Sequence, residues 1–239
     1  MTIKKISTVL NWIGGLSAIW LFAYPKFYEL SVLVNILIPI IGILFTLKHQ
    51  GKVGIDYRKW NNTPISKIDS AILLPSFALI LRALIDIKII GFTNIFIYAL
   101  IISIPLISIL FYSTKEYLVG KKIFNGFFWG ILFIFTFGCG TAILTNVLLD
   151  QSEPEFYKAR IINKKIENGK TIVYRIDFEP WGPITENDLM RVSKTEFERL
   201  NVNDSIELKL KSGFLKTQWI RKNNVAQQRT EVKTNSFLH

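Results

Sequence analysis

Four apolar segments that are nearly free of charge constrain this chain more than any other feature of its sequence. Each is close to the ~20 residues that a helix needs to cross the hydrocarbon core of a bilayer. A fifth apolar segment is as long but carries Arg82 and Asp86. We therefore predict a membrane α-helical bundle of about five transmembrane helices in residues 1–150. The predicted spans are 6–24, 30–47, 70–90, 94–112 and 123–149.

The Lys and Arg residues are unevenly distributed among the predicted loops. The N-terminal segment and the second and fourth loops hold two, five and three of them, whereas the first and third loops hold one each. Basic residues collect in short loops on the cytoplasmic side of a membrane. This bias predicts a multi-pass protein of the bacterial cytoplasmic (inner) membrane with a cytoplasmic N-terminus. The collection of basic residues in the loops of a membrane protein also explains the net charge of +11. We therefore expect the lipid bilayer, and no nucleic acid, as a partner.

After five crossings the C-terminal region is expected outside the cytoplasm, and its composition changes there. In residues 171–179 and 205–211 apolar side chains alternate with polar ones, which is typical of half-buried strands. We predict a small soluble β-rich domain over 151–222, with an SH3-like or OB-like barrel as the candidate architecture. Residues 223–239 contain few apolar side chains and are predicted to form a flexible tail.

Two short patterns predict local structure within this domain. Asn168-Gly169 lies between two strand-like stretches, which indicates a hairpin. Ser193 and Glu196 have the spacing of a capping box, so a short helix is expected to begin there.

Arg82 and Asp86 are the residues least expected in an apolar segment. Arg82 lies twelve residues after Ser70. At ~1.5 Å per residue this is about 18 Å into the span, past the bilayer midplane. Their spacing of four residues places them on one helix face. Two interpretations stay open: a functional site, such as an anion-binding group or proton relay in a polar path, or a structural pair that locks the span against its neighbours. Asn11 and Asn35 are candidate partners.

Small residues in the last predicted span indicate close helix packing. Gly126 and Gly130 have GxxxG spacing, and Gly138 and Gly140 follow. Glycine lets helix backbones approach each other. We expect packing within the chain rather than homodimerisation, with Gly14 and Gly15 of the first span as the candidate matching surface.

The segment FEPWGP, residues 178–183, joins two predicted strands. Phe178 and Trp181 lie beside two prolines and a glycine, which makes a rigid aromatic loop. It is a candidate partner-binding loop. The alternative, which we favour, is that Trp181 covers the small core of the domain.

Sequence patterns for catalysis or metal binding are not found. The chain has one cysteine, Cys139, and two histidines, and its acidic residues form no recognisable catalytic or metal-binding pattern. We therefore expect a protein that is not an enzyme and that uses no metal or cofactor.

Three stretches of the C-terminal region carry a resemblance: VYRIDF, RVSKTEFERLNVNDSIELKL and SGFLKTQW. They resemble the β domain of uncharacterised bacterial polytopic membrane proteins, which has a Tyr-rich strand, a Val-Gly-Asp turn and a closing G-x-x-x-x-x-W. Asn203 stands where the turn glycine is usual, and asparagine tolerates the left-handed conformation. The resemblance implies an architecture and no activity.

These features predict a non-enzymatic membrane protein whose outer β domain binds a protein partner. An immunity factor or an envelope accessory factor would have this organisation. The alternative function is a transporter or channel component in which Arg82 and Asp86 line a polar path. The sequence leaves the partner and the oligomeric state open.

Overall fold

The structure is a computed structural model that describes most of the chain, and it divides that chain into two compact units. The helical unit consists of the chain up to Leu84 together with Phe92–Leu149, and the β unit consists of Ile85–Gly91 with the chain from Asp150 onward. The described residues are 2–23, 27–54, 59–60, 63–64, 66–113, 123–169 and 171–222. The predicted tail over 223–239 lies outside them.

In the described part of the chain, five long helices form the helical unit. Four contain a segment that is long and apolar enough to cross a membrane, which confirms the prediction of a multi-pass membrane protein. The third has only 18 residues, and its sequence includes Asp69, Arg82 and Asp86. The helices are α1 (Ile3–Ala23), α2 (Tyr28–Lys48), α3 (Asp69–Asp86), α4 (Thr93–Ser113) and α5 (Ile123–Leu148). The α2–α3 connection holds four two-residue strands: β1 (Val53–Gly54), β2 (Lys59–Trp60), β3 (Thr63–Pro64) and β4 (Ser66–Lys67).

Many apolar side chains on these helices are exposed. Trp12, Leu16 and Ile19 of α1 and Ile101 and Ile104 of α4 are examples. Exposed residues of this kind suit hydrocarbon as the surrounding medium, because a soluble protein rarely leaves so much contiguous apolar surface in water.

Three other helices pack closely against α3, each through a glycine residue. A Cβ atom on Gly14 of α1 would lie 2.7 Å from the Cα of Ala71, and one on Gly42 of α2 would lie 3.1 Å from Cγ1 of Ile72. A Cβ atom on Gly140 of α5 would lie 2.7 Å from the backbone nitrogen of Ile80. The expectation that Gly14 matches the last span is therefore wrong, because Gly14 packs against α3.

The segment after α3 differs from the sequence prediction, which extended the third span to residue 90. The helix ends at Asp86, and Ile87–Ile90 form strand β5 of the β unit. The β-branched composition of these residues suits a strand as well as a span. These residues form a strand and not the end of a span, because they pair with residues 218–221.

After Asp150 the described chain forms five strands and one short helix, so the predicted β-rich region is confirmed. Strand β6 is long and bulged, and pairs with β9 over its first half and with β7 over its second. The hairpin between β6 and β7 and the capping box of Ser193 and Glu196 are both present, as predicted. The elements are β6 (Glu155–Asn168), β7 (Ile172–Phe178), β8 (Asp188–Val192), α6 (Lys194–Arg199), β9 (Ser205–Leu210) and β10 (Gln218–Arg221).

The strands of the β unit form a four-stranded and a two-stranded sheet, which one isolated bridge connects. Strands β8, β7, β6 and β9 are hydrogen-bonded neighbours in that sequence, and β10 pairs with β5. A bridge between Lys211 and Trp219 connects the end of β9 to β10, which gives the order β8-β7-β6-β9-β10-β5. The core between these strands contains Ile161, Ile176, Phe178, Leu208 and Ile220.

Candidate functional site

The sixth strand of the β unit is supplied by the connection between α3 and α4. Strand β5 runs antiparallel to β10, with Ile87 opposite Arg221 and Ile90 opposite Gln218. The segment LILRALIDIKII is therefore the end of a helix followed by a strand. Its polar residues have two different environments, one in the helical unit and one in the β unit.

An ion pair joins the two ends of the strand order. The Nζ atom of Lys88 in β5 donates to Oδ1 of Asp188, the first residue of β8. The side chain of Asp188 is only 5 % exposed and that of Lys88 is 25 % exposed. The second carboxylate oxygen of Asp188 accepts a hydrogen bond from Trp181 Nε1 at 3.0 Å. A buried carboxylate is tolerated when it is paired and hydrogen-bonded in this way.

Lys222 lies beside this pair. Lys222 directly follows Arg221, the last residue of β10, which lies opposite Ile87. Burial lowers the pKa of Lys222, and the charges of Lys88 and Arg191 lower it further, while Asp86 acts in the opposite direction. Asp86 therefore interacts electrostatically within the β unit, which is a role that the helical spacing did not indicate.

Arg82 belongs to the helical unit, near the end of α3. Its guanidinium carbon lies 5.5 Å from the ring centroid of Tyr28, the first residue of α2. Since Gly42, near the other end of α2, contacts Ile72, helix α3 runs antiparallel to α2 and Arg82 lies at an end of the bundle. A guanidinium over an aromatic ring at this depth fits an interfacial position.

The two asparagines proposed as partners of Arg82 and Asp86 bond elsewhere. Asn11 donates to the carbonyl oxygen of Lys67 and accepts from the backbone N–H of Ala71. Asn35 donates to the carbonyl oxygens of Ser17 and Ser31 at 3.0 and 2.8 Å. Both side chains therefore fix helix packing.

Asp150, two residues after the end of α5, is a carboxylate with several hydrogen-bond donors in the β unit. Its Oδ2 accepts from Trp219 Nε1 at 2.7 Å and from the backbone N–H of Gly213 at 3.2 Å, and Lys211 Nζ lies 3.9 Å away. Burial raises its pKa, but hydrogen bonds from Ser152 and Trp219 and the charge of Lys211 outweigh burial and lower it. Asp150 therefore attaches the loop before β10 to the start of the β unit.

Replacement of Asp150 by asparagine is expected to destabilise the β unit at pH 7 by about 1.5–3 kcal/mol, the usual contribution of hydrogen bonds to a charged group. Because the folded-state pKa is lowered, the ionised carboxylate stabilises the fold above its ordinary pKa of 3.8, and this stabilisation is lost as the pH falls through the folded-state value. Hydrogen exchange of the β9 amides in detergent, at pH 7 and near pH 3, measures both effects. A difference between wild type and variant that does not shrink in acid would contradict this assignment.

Phe178 and Trp181, the candidate partner-binding residues, lie in the core. Phe178 is 0 % exposed and Trp181 is 3 % exposed. Gly182 follows with φ of 46°, and a Cβ atom there would lie 2.9 Å from the ring of Tyr157. The loop is closed by a bridge between Trp181 and Ile184, and it presents neither ring to a partner, because both lie in the core of the β unit.

An exposed apolar surface that sequence reasoning missed lies at the tip of the β6–β7 hairpin. Ile166 and Ile172 are 52 % and 53 % exposed. The register pairs Ile166 with Tyr174 and Asn168 with Ile172, so both isoleucines share the face of Tyr174, whose ring packs 5.2 Å from that of Phe197. We call Ile166, Ile172, Tyr174 and Phe197 the hairpin patch. The apolar face of residues 172–178 continues past the core, and this pattern could have predicted the hairpin patch from the sequence.

The glycines of α5 differ in what they contact. Gly138 and Gly140 are in close contact with the neighbouring helices α4 and α3, at Ala99 and Ile80 respectively. A Cβ atom on Gly130 would make ordinary contacts with the side chains of Phe111, at 3.6 Å, and Leu110, at 3.8 Å. The surroundings of Gly126 lie outside the described part of α5.

In the part of the chain that the structure describes, no group of three or more His, Cys, Asp or Glu side chains could hold a metal ion. Comparison with protein-family models, with curated proteins and with solved structures found no match. The resemblance to bacterial polytopic membrane proteins with a C-terminal β domain therefore stays a prediction.

Proposed function

We propose that this chain is a non-enzymatic protein of the bacterial cytoplasmic membrane that carries its β unit on the outer surface, where the unit binds a protein partner. The observation that carries the proposal is the hairpin patch. Two isoleucines on the core face of a hairpin are exposed beside a pair of aromatic rings. An exposed cluster of apolar and aromatic residues is typical of an interaction site.

The outer location depends on five crossings, and the packing of α3 supports the fifth. Helix α3 contacts α2 near both ends, at Gly42 and at Tyr28, and so extends across much of the same layer. Its charged residues Asp69, Arg82 and Asp86 lie at or near its ends, where side chains reach the headgroups. With the basic loops in the cytoplasm, five crossings leave the β unit outside.

The transporter alternative needs Arg82 and Asp86 to line a path through the bundle. Arg82 instead lies at the level of the first residue of α2, and Asp86 belongs to the β unit. We therefore do not propose a transport function.

The proposal predicts partner capture by the full-length protein on intact cells treated with a membrane-impermeant crosslinker. Replacing both Ile166 and Ile172 by aspartate is expected to abolish the crosslinked product, because two charges would have to be desolvated in the interface. The matched control is Leu189→Asp, since Leu189 is also exposed but lies on the opposite sheet face. All variants should reach the membrane in equal amounts.

Three results would count against the proposal. A product that survives the double substitution shows that the hairpin patch is not the contact. A product that Leu189→Asp also removes shows a nonspecific effect of charge. A product that forms only with a membrane-permeant crosslinker shows that the β unit faces the cytoplasm.

A further inference from the structure

We propose that the loop Ser212–Thr217 is a membrane-contact element that inserts Phe214 into the interfacial region of the bilayer. The ligand is the lipid itself, at the boundary between headgroups and acyl chains. This inference depends neither on the partner nor on the side of the membrane that the β unit occupies. It requires only that α5 crosses the bilayer.

The loop is attached directly to the chain that leaves α5. The backbone N–H of Gly213 donates to Asp150 Oδ2 at 3.2 Å, and that of Ser212 donates to Ser152 Oγ at 3.1 Å. The apolar segment of α5 ends at Leu148, two residues before Asp150. The backbone from Leu148 to Asp150 spans at most about 7 Å, and the Asp150 side chain and its hydrogen bond then tether Gly213 to it.

The loop has a defined turn that presents one aromatic side chain outward. Gly213 and Lys216 have φ of 75° and 55°, and the N–H of Lys216 donates to the carbonyl oxygen of Gly213 at 3.0 Å. Phe214 at the tip is 56 % exposed, whereas Leu215 and Thr217 are buried. The turn thus exposes Phe214, whose apolar ring is unfavourable in water.

The chemistry around Phe214 suits lipid better than a protein surface. Lys211 and Trp219 flank the loop, but both interact with Asp150, and Trp219 is buried. Lys216 is exposed within the loop. Aromatic residues are enriched at the headgroup level of membrane proteins, and lysines there are attracted to anionic lipids.

The test places a fluorescent label at the tip of the loop. Phe214→Cys is prepared in a Cys139→Ala background, labelled with an environment-sensitive dye, and the full-length protein is placed in nanodiscs of phosphatidylethanolamine and phosphatidylglycerol. The matched control is Ile172→Cys, which is equally exposed but lies at the hairpin tip, at the other end of β6 from the residues that follow α5. Hydrogen exchange of β9 verifies that both labelled proteins remain folded.

We expect the label at 214 to emit at shorter wavelength than the label at 172. We also expect stronger quenching at 214 by nitroxide lipids labelled near the acyl carbonyl, and weaker quenching by aqueous iodide. Iodide quenching equal to that at 172 would overturn the proposal, because the loop would then face water. A blue-shifted emission that is insensitive to nitroxide lipids would also overturn it, because protein would then cover the loop.

Discussion

Replacement of Asp188 by alanine is expected to lower the unfolding free energy of the β unit by about 3–5 kcal/mol, the usual cost of removing one partner of a buried ion pair. The substitution removes the hydrogen-bond acceptor of both Lys88 Nζ and Trp181 Nε1. Lys88 keeps a partly buried charge, and Trp181 keeps a buried N–H. Since a domain is stable by only about 5–15 kcal/mol, this loss is a large share of the total. Hydrogen exchange of the β7 and β9 amides in the full-length protein in detergent measures it.

The matched control is Asp177→Ala, on the adjacent strand β7. Asp177 pairs with Lys165 at 2.8 Å, but the lysine side chain is more than half exposed. A pair screened by water in this way contributes about 0–1 kcal/mol. Equal losses for the two variants would show that the Lys88–Asp188 pair has no special role in joining β5 to β8.

The transmembrane part of the fold could be predicted closely because its signal is local. Helices α2 and α4 begin and end within two residues of the predicted spans, since uninterrupted apolar composition specifies both the helix and its length. The β6–β7 hairpin and the capping box of α6 were predictable for the same reason, because each depends on residues within four positions of one another.

The strand β5 and the contacts around it could not be predicted, since their partners are distant in sequence. Lys88 and Asp188 are separated by 100 residues, and Asp150 and Trp219 by 69. Ile87–Ile90 have the composition of the end of a span, and only β10 shows them to be a strand. Asp86 likewise looked like a membrane residue because it follows Arg82 by one helical turn, although it belongs to the β unit.

Replacement of Gly140 by alanine is expected to destabilise the helical unit by about 1–3 kcal/mol, the usual cost of overpacking a core. The new methyl group would lie 2.7 Å from the backbone nitrogen of Ile80 and 3.0 Å from the carbonyl carbon of Leu79. Backbone atoms of a packed helix cannot rotate aside as a flexible side chain does. Helices α3 and α5 would therefore have to separate, and contacts along both would weaken. Equilibrium unfolding in mixed detergent micelles, followed by circular dichroism, measures the change.

The same substitution at Gly130 isolates the contribution of packing. A Cβ atom there would lie no closer than 3.6 Å to its nearest neighbours, the side chains of Phe111 and Leu110, so alanine fits without displacement. Alanine is also favoured over glycine inside a helix, by roughly 0.5–1 kcal/mol. Gly130→Ala should therefore be neutral or stabilising, although it lies on the same helix as Gly140. If both variants lost stability equally, the cost would come from α5 itself, and the close approach of α5 to α3 would not explain why glycine is needed at residue 140.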